Sequence, residues 1–218
     1  MHLSDAILSP TVSAVTWATS GILLWVSSRF SNYAENPQRF MLMGVLSAFA
    51  LVAQAMQFTI PGTAMSLHFS GALLLALTLG PWRGFVALAS VTVMQYLLLA
   101  EGGLMAMGCN LLNGALPACF IVAPLLRGRW MRRDSFISRW GLFAFAGAVT
   151  MGISSLLASS EIFVSGKSDL SFYQLLAFTL PIHIGLGLFE GWITAFLFNA
   201  LSNLKNEMHY DSATATST

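Results

Sequence analysis

Seven apolar runs separated by short polar breaks leave this chain few folds to adopt. They cover residues 6–28, 40–60, 69–79, 84–100, 104–126, 137–159 and 172–201, and most come close to the ~20 residues that cross a bilayer. Turn residues end them: Pro61-Gly62, Gly80-Pro81, and Gly102-Gly103 after Glu101. Only 9% of residues are charged, where a soluble domain carries about 25%. In hydrocarbon the backbone must satisfy its own hydrogen bonds, and for single apolar runs that means helix. The expected fold is an all-α integral membrane protein of about seven transmembrane helices. Residues 1–204 form one polytopic domain, and 205–218 are a polar, disordered tail. The third run is short, so either its helix is steep or the link before it dips into the protein.

Charge placement orients the bundle, because lysine and arginine gather on the cytoplasmic side. With seven spans, one face receives Arg29, Arg39, Arg83, Arg127, Arg129, Arg132, Arg133, Arg139 and Lys205, and the other only Lys167. The N-terminus is expected outside and the C-terminus in the cytoplasm, in a multi-pass protein of the inner membrane. A cleavable signal peptide would need a basic n-region, which MHLSDAILSP lacks. No basic stripe suggests nucleic acid. Cys109 and Cys119 match neither a zinc spacing nor a disulfide framework and read as buried thiols.

Candidate chemistry collects on the external side. Initiator removal needs a small second residue, so Met1 is expected to stay before His2 with its amine free. That amine, the His2 peptide nitrogen and the His2 Nδ1 can close two fused chelate rings on one ion. Planar nitrogen donors suit copper(II) and nickel(II). His68 lies on the same side and can supply a fourth nitrogen, which suits low-spin nickel(II) and also admits cobalt(II). Its structural alternative is a histidine at a helix start bonding a backbone carbonyl. Asp5 falls near the first helix start, where a carboxylate suits the positive end or can orient His2. Glu101 and Asn110 can form a polar turn near the same place, and Asn110 and Asn113 share a helical face. His183 and Glu190 lie two turns apart on one face of the last run, and ionisable groups at that depth are functional candidates. They can relay protons, bind metal or tie helices together, and Gly185, Gly187 and Gly191 beside them suit close packing.

The runs MHLSDAIL, SLHFSGALLLALTLGPW, Gln95 with EGGLMAMGCNLLN, and HIGLGLFEGWITAF resemble the CbiM/NikM family. These proteins are the substrate-capturing membrane components of energy-coupling-factor transporters for cobalt and nickel. The resemblance covers about 200 residues in order. It implies seven helices, an N-terminal end tucked into the protein, and Met1, His2 and His68 as metal donors. Asp5, Asn110, Glu101, His183 and Glu190 are candidates for orienting those donors from around the set. The family usually has glycine where this chain has Ala6. The implied partners are a coupling transmembrane subunit, cytoplasmic ATPases and a small accessory membrane protein. No catalytic cofactor is implied, and the chain has no nucleotide-binding glycine-rich motif. The rival reading is a membrane-embedded metal-dependent enzyme using His183 and Glu190, although no HExxH-type motif is present.

Overall fold

The computed structural model describes residues 2–31, 37–59, 65–127 and 136–215, with side chains at 58–59, 65–67, 136–138 and 204–215 outside the description. Met1, part of the link 61–68 and most of the arginine-rich loop therefore lie outside the described residues. Seven helices follow one another: α1 (Pro10–Arg29), α2 (Pro37–Gln54), α3 (Ala72–Leu79), α4 (Pro81–Leu99), α5 (Met107–Leu126), α6 (Phe136–Ser165) and α7 (Phe172–Ala215). Within α5 the turns widen to π geometry over Pro117–Val122, which accommodates a proline that cannot donate to the ladder. Among the described residues four stretches are long and apolar enough to cross a membrane: Pro81–Leu99, Met107–Leu126, Arg139–Ser165 and Phe172–Asn203.

The third run forms a short, buried helix. α3 has eight residues, about 12 Å of helix, and seven of the eight are buried. Around it the chain makes a small antiparallel sheet in the order β1-β3-β2, from His2–Leu3, Gln57–Thr59 and Met65–His68. Two expected helix bounds shift because of that sheet. The first helix starts at Pro10 rather than residue 6, since 2–3 are strand and Asp5–Ile7 form one tight 3₁₀ turn. Ser9 caps it, its Oγ accepting from the Val12 N–H, with Pro10 in the first turn. The second helix stops at Gln54 rather than running to 60, because 57–59 pair as a strand. At the other end α7 is helical to Ala215, into the stretch expected to be a disordered tail. Extending a formed helix needs no new nucleus.

α1 turns its apolar side outward. Ser13, Thr16, Ser20 and Ser27 are buried, while Val15, Ile22 and Trp25 are exposed. The small polar face lets α1 approach α5 closely. Ser20 Oγ donates to the Gly108 carbonyl at 2.8 Å and Thr16 Oγ1 lies 3.1 Å from Cys109 Sγ. A Cβ on Gly108 would come within 2.6 Å of the Trp17 backbone nitrogen. α6 and α7 meet the same way: a Cβ on Gly147, Gly187 or Gly191 would strike the facing helix backbone. Such small-residue contacts are how helices associate where lipid supplies no hydrophobic drive. Gly185, expected in this contact, meets nothing within 4 Å. Both cysteines are buried free thiols, as expected.

Arginines tie the end opposite the sheet. Arg83 Nε donates to the Ser31 carbonyl at 2.6 Å, and Arg127 Nη2 donates to the Ala76 and Leu77 carbonyls at 3.1 and 3.2 Å. Arg127 thereby covers open carbonyls in the last turn of α3. This is a structural role beyond the topogenic one expected of its loop.

Candidate metal site

The register of the small sheet builds the site. His2 pairs with Ser66 and Leu3 with Met65, so His2 and His68 are diagonal neighbours on one face, within reach of ring contact. Their rings stack with centroids 4.5 Å apart and planes 23° apart. A metal–nitrogen bond of about 2 Å allows two imidazoles so placed to share one ion. Both are buried, at 8% and 4% exposure. A cavity of about 20 Å³ lies beside them, with Gln54, Ser70, Thr92 and Asn110 among its walls. It has room for one water-sized body. A larger crevice of about 300 Å³ opens between α2 and α7, but its walls (Phe49, Met56, Leu186, Phe189) are apolar, and His68 is the metal-donor side chain it offers.

The electrostatics favour neutral rings. Burial lowers the His2 pKa to about 3. Burial also lowers that of His68 well below the usual value, with the positive charges that His2 and His183 would carry acting in the same direction. His68 Nδ1–H donates to its neighbour Phe69's carbonyl at 3.0 Å, which makes Nε2 its basic nitrogen. The structural alternative for His68 is thus realised in part, and it is compatible with ligation because metal-binding imidazoles are commonly oriented by such a bond.

Three contacts hold the N-terminal strand in place. Leu3 N–H donates to Asn110 Oδ1 at 2.7 Å, and Asn110 Nδ2 donates back to the Leu3 carbonyl at 3.1 Å. Asp5 Oδ1 accepts from the Ala106 N–H at 2.8 Å. Asp5 was expected at its own helix start or orienting His2; its carboxylate instead caps α5, reaching the positive end of a helix across 101 residues of sequence. Gly102 and Gly103 allow this approach. Gly102 sits at φ +74, and a Cβ there would lie 2.8 Å from Asn110 Nδ2, while one on Gly103 would strike Asp5. Glu101 precedes them, its Oε2 3.8 Å from His2 Nε2. Burial raises its pKa. Ala6 is exposed, so its methyl group crowds nothing in the site.

The loop carrying His68 is clamped from the opposite side. Glu190 Oε2 and Oε1 accept from Ser70 N–H (3.0 Å) and Ser70 Oγ (2.6 Å), and Gln54 Nε2 donates to the Ser70 carbonyl. His183 and Glu190 do share the buried face of α7, but they take different partners: His183 Nδ1–H donates to the Thr179 carbonyl at 2.7 Å. Asn110 and Asn113 also diverge, since Asn113 Nδ2 donates to Glu161 at 2.6 Å. Ser70, Gln54 and Glu161 were not singled out from sequence. Glu161 fell in the polar link after the sixth run, and it is the extension of that helix to Ser165 that places it in the bundle. Among the described residues there is no group of three or more histidine, cysteine, aspartate or glutamate side chains able to hold a metal.

By class this is a multi-pass helical membrane protein whose small polar cavity is walled by two buried imidazoles from separate strands. The chain belongs to the CbiM family, described as a cobalt uptake substrate-specific transmembrane region, whose model matches residues 2–208. It is 30% identical to a cobalt transport protein CbiM of Roseiflexus sp., covering 95% of this chain and 85% of that one. It is 31% identical to a fused nickel transport protein NikMN of Rhodobacter capsulatus over 74% of this chain, and spans only 46% of that longer protein. A crystal structure of a transition metal transporter superposes with a TM-score of 0.84 at 26% identity, covering 97% and 98% of the two chains. A truncated transition metal transporter gives 0.82 at 26% identity over 93% and 99%.

Proposed function

We propose that the protein captures Ni²⁺ or Co²⁺ from the external side of the inner membrane as the substrate-binding subunit of an energy-coupling-factor importer. The carrying observation is the stacked, buried and neutral pair His2 and His68 at the end of the N-terminal strand. The donors are the Met1 amine, the His2 peptide nitrogen and Nδ1, and an imidazole nitrogen of His68. Together they make a square of nitrogens, a geometry that nickel(II) prefers.

The neutral rings refine the chemistry of capture. Binding displaces protons, and since neither imidazole is protonated near neutrality, those protons come from the Met1 amine and the His2 amide. An α-amine titrates near pH ~7.7–8.0. Affinity should therefore rise about tenfold per pH unit above that range and about a hundredfold per unit below it, always falling as pH falls.

External exposure of the site is supported by the arginine ties of Arg83 and Arg127 at the opposite end of the bundle. With no nucleotide motif here, coupling subunit and cytoplasmic ATPases supply energy, and a small accessory membrane protein completes the complex. Membrane lipid surrounds the helical bundle.

The enzyme reading has no support: His183 and Glu190 do not bond each other, and the similar proteins are named for transport. The test is insertion of one residue between Met1 and His2. Calorimetry should show tight nickel binding lost with the helical content intact; unchanged affinity overturns the proposed donor set.

A further inference from the structure

We infer that Glu101 is a positioning residue that accepts the His2 Nε2–H and so fixes the tautomer whose Nδ1 is free to bind the ion. The inference rests on the capture reading above. His2 Nε2 and Glu101 Oε2 lie 3.8 Å apart, and neither atom has a hydrogen-bond partner among the described residues. Two buried polar atoms that face one another without other partners are costly unless they pair. A closure of less than 1 Å makes the bond, and hydrogen bonds at functional sites commonly tighten only in the loaded state.

The backbone holds Glu101 there at a cost. Ala100 before it has φ 52, a left-handed conformation that a non-glycine residue rarely adopts, and Gly102 after it has φ +74. The turn is held by the Glu101 N–H, which donates to the Gln95 carbonyl at 3.4 Å, and by the packing of Gly102 against Asn110 and of Gly103 against Asp5. Strained positions persist where surrounding structure enforces them, and they cluster at functional sites.

The chemistry needs this partner. A neutral imidazole carries one ring proton, and with the proton on Nδ1 the chelate ring through that nitrogen cannot close. A carboxylate at Nε2 draws the proton to that side and leaves the Nδ1 lone pair aimed at the metal. Once metal binds, charge withdrawn from the ring makes Nε2–H a stronger donor, so the bond shortens with loading. Partners of this kind raise metal affinity about 10- to 100-fold.

The experiment uses the full chain in detergent with nickel(II) chloride. Square-planar nickel(II) is diamagnetic, so ¹⁵N-imidazole NMR reads the His2 tautomer with and without metal. In the unsubstituted protein His2 should show its proton on Nε2 in both states, moving downfield on loading; a proton on Nδ1 in the metal-free protein overturns the inference. Glu101→Met keeps the volume and removes the acceptor, so it should mix the tautomers and weaken nickel binding about 10- to 100-fold. Glu101→Gln keeps an acceptor oxygen and should restore most of the affinity. Unchanged affinity and tautomer in Glu101→Met overturn the role of Glu101 while leaving capture standing. Failure of the unsubstituted protein to bind nickel at all overturns the capture reading instead. If Glu101→Met does not fold, the tautomer of the unsubstituted protein decides alone.

Discussion

Asn110 does most to fix where His2 sits, because it returns both backbone groups of Leu3 across 107 residues of sequence. Asn110→Ala leaves the buried Leu3 N–H and carbonyl without partners, at about 1–3 kcal/mol for each. Nickel affinity, measured by calorimetry, should fall at least tenfold, while the metal's ligand-field band keeps its position because no donor is lost. Gly102→Ala should act on the same contact. It adds a Cβ 2.8 Å from Asn110 Nδ2 at a backbone angle of +74, and its affinity loss should not add to that of Asn110→Ala. Neither Gly102 nor Leu3 looks like a functional residue in sequence. One is a turn glycine and the other an apolar residue before a helix, and their meaning comes from a partner far along the chain.

At the scale of the element, the N-terminal strand is held by a short register of two residue pairs. Its stability is linked to pH through His2. The folded-state pKa of about 3 lies below the ordinary value of 6.5, so the undocked strand binds more protons between those values. Docking stability is thus fully present above pH ~6.5 and drains away as pH falls toward 3. In metal-free protein, the protection factor of the Leu3 amide, its exchange rate referred to the intrinsic rate at each pH, should fall by about tenfold per pH unit across that window before the helices unfold; a protection factor that is flat with pH contradicts it. The α3 loop has its own clamp. Glu190→Ala removes both acceptors of Ser70 and should weaken nickel binding without altering the ligand-field band, whereas His68→Ala should alter the band itself. The helices beside these elements were readable because each has its own apolar run and its own turn residues. The three strands were not, since two to four residues apiece are too short for a period of two to stand out.

For the whole molecule, the long α6–α7 contact is the structural spine, and glycines set its spacing. A Cβ on Gly147 would meet the backbone of Gly187 and Gly191, so Gly147→Leu should force the helices apart and destabilise the bundle by several kcal/mol, seen as a lower melting temperature in detergent. Sequence by itself determined the membrane class and the approximate places of the seven helices, and it pointed to His2 and His68 as residues of interest. All of these are properties of single segments, because bilayer thickness and backbone hydrogen bonding act on each run separately. Tertiary structure alone decided that residues 2–3 are a strand, that Asp5 caps α5 rather than α1, that Glu190 clamps Ser70 rather than pairing with His183, and that Glu101 faces His2. Each of those depends on a contact spanning 60 to more than 100 residues of chain, whose register is set by how the helices pack and leaves no periodic trace in the local sequence.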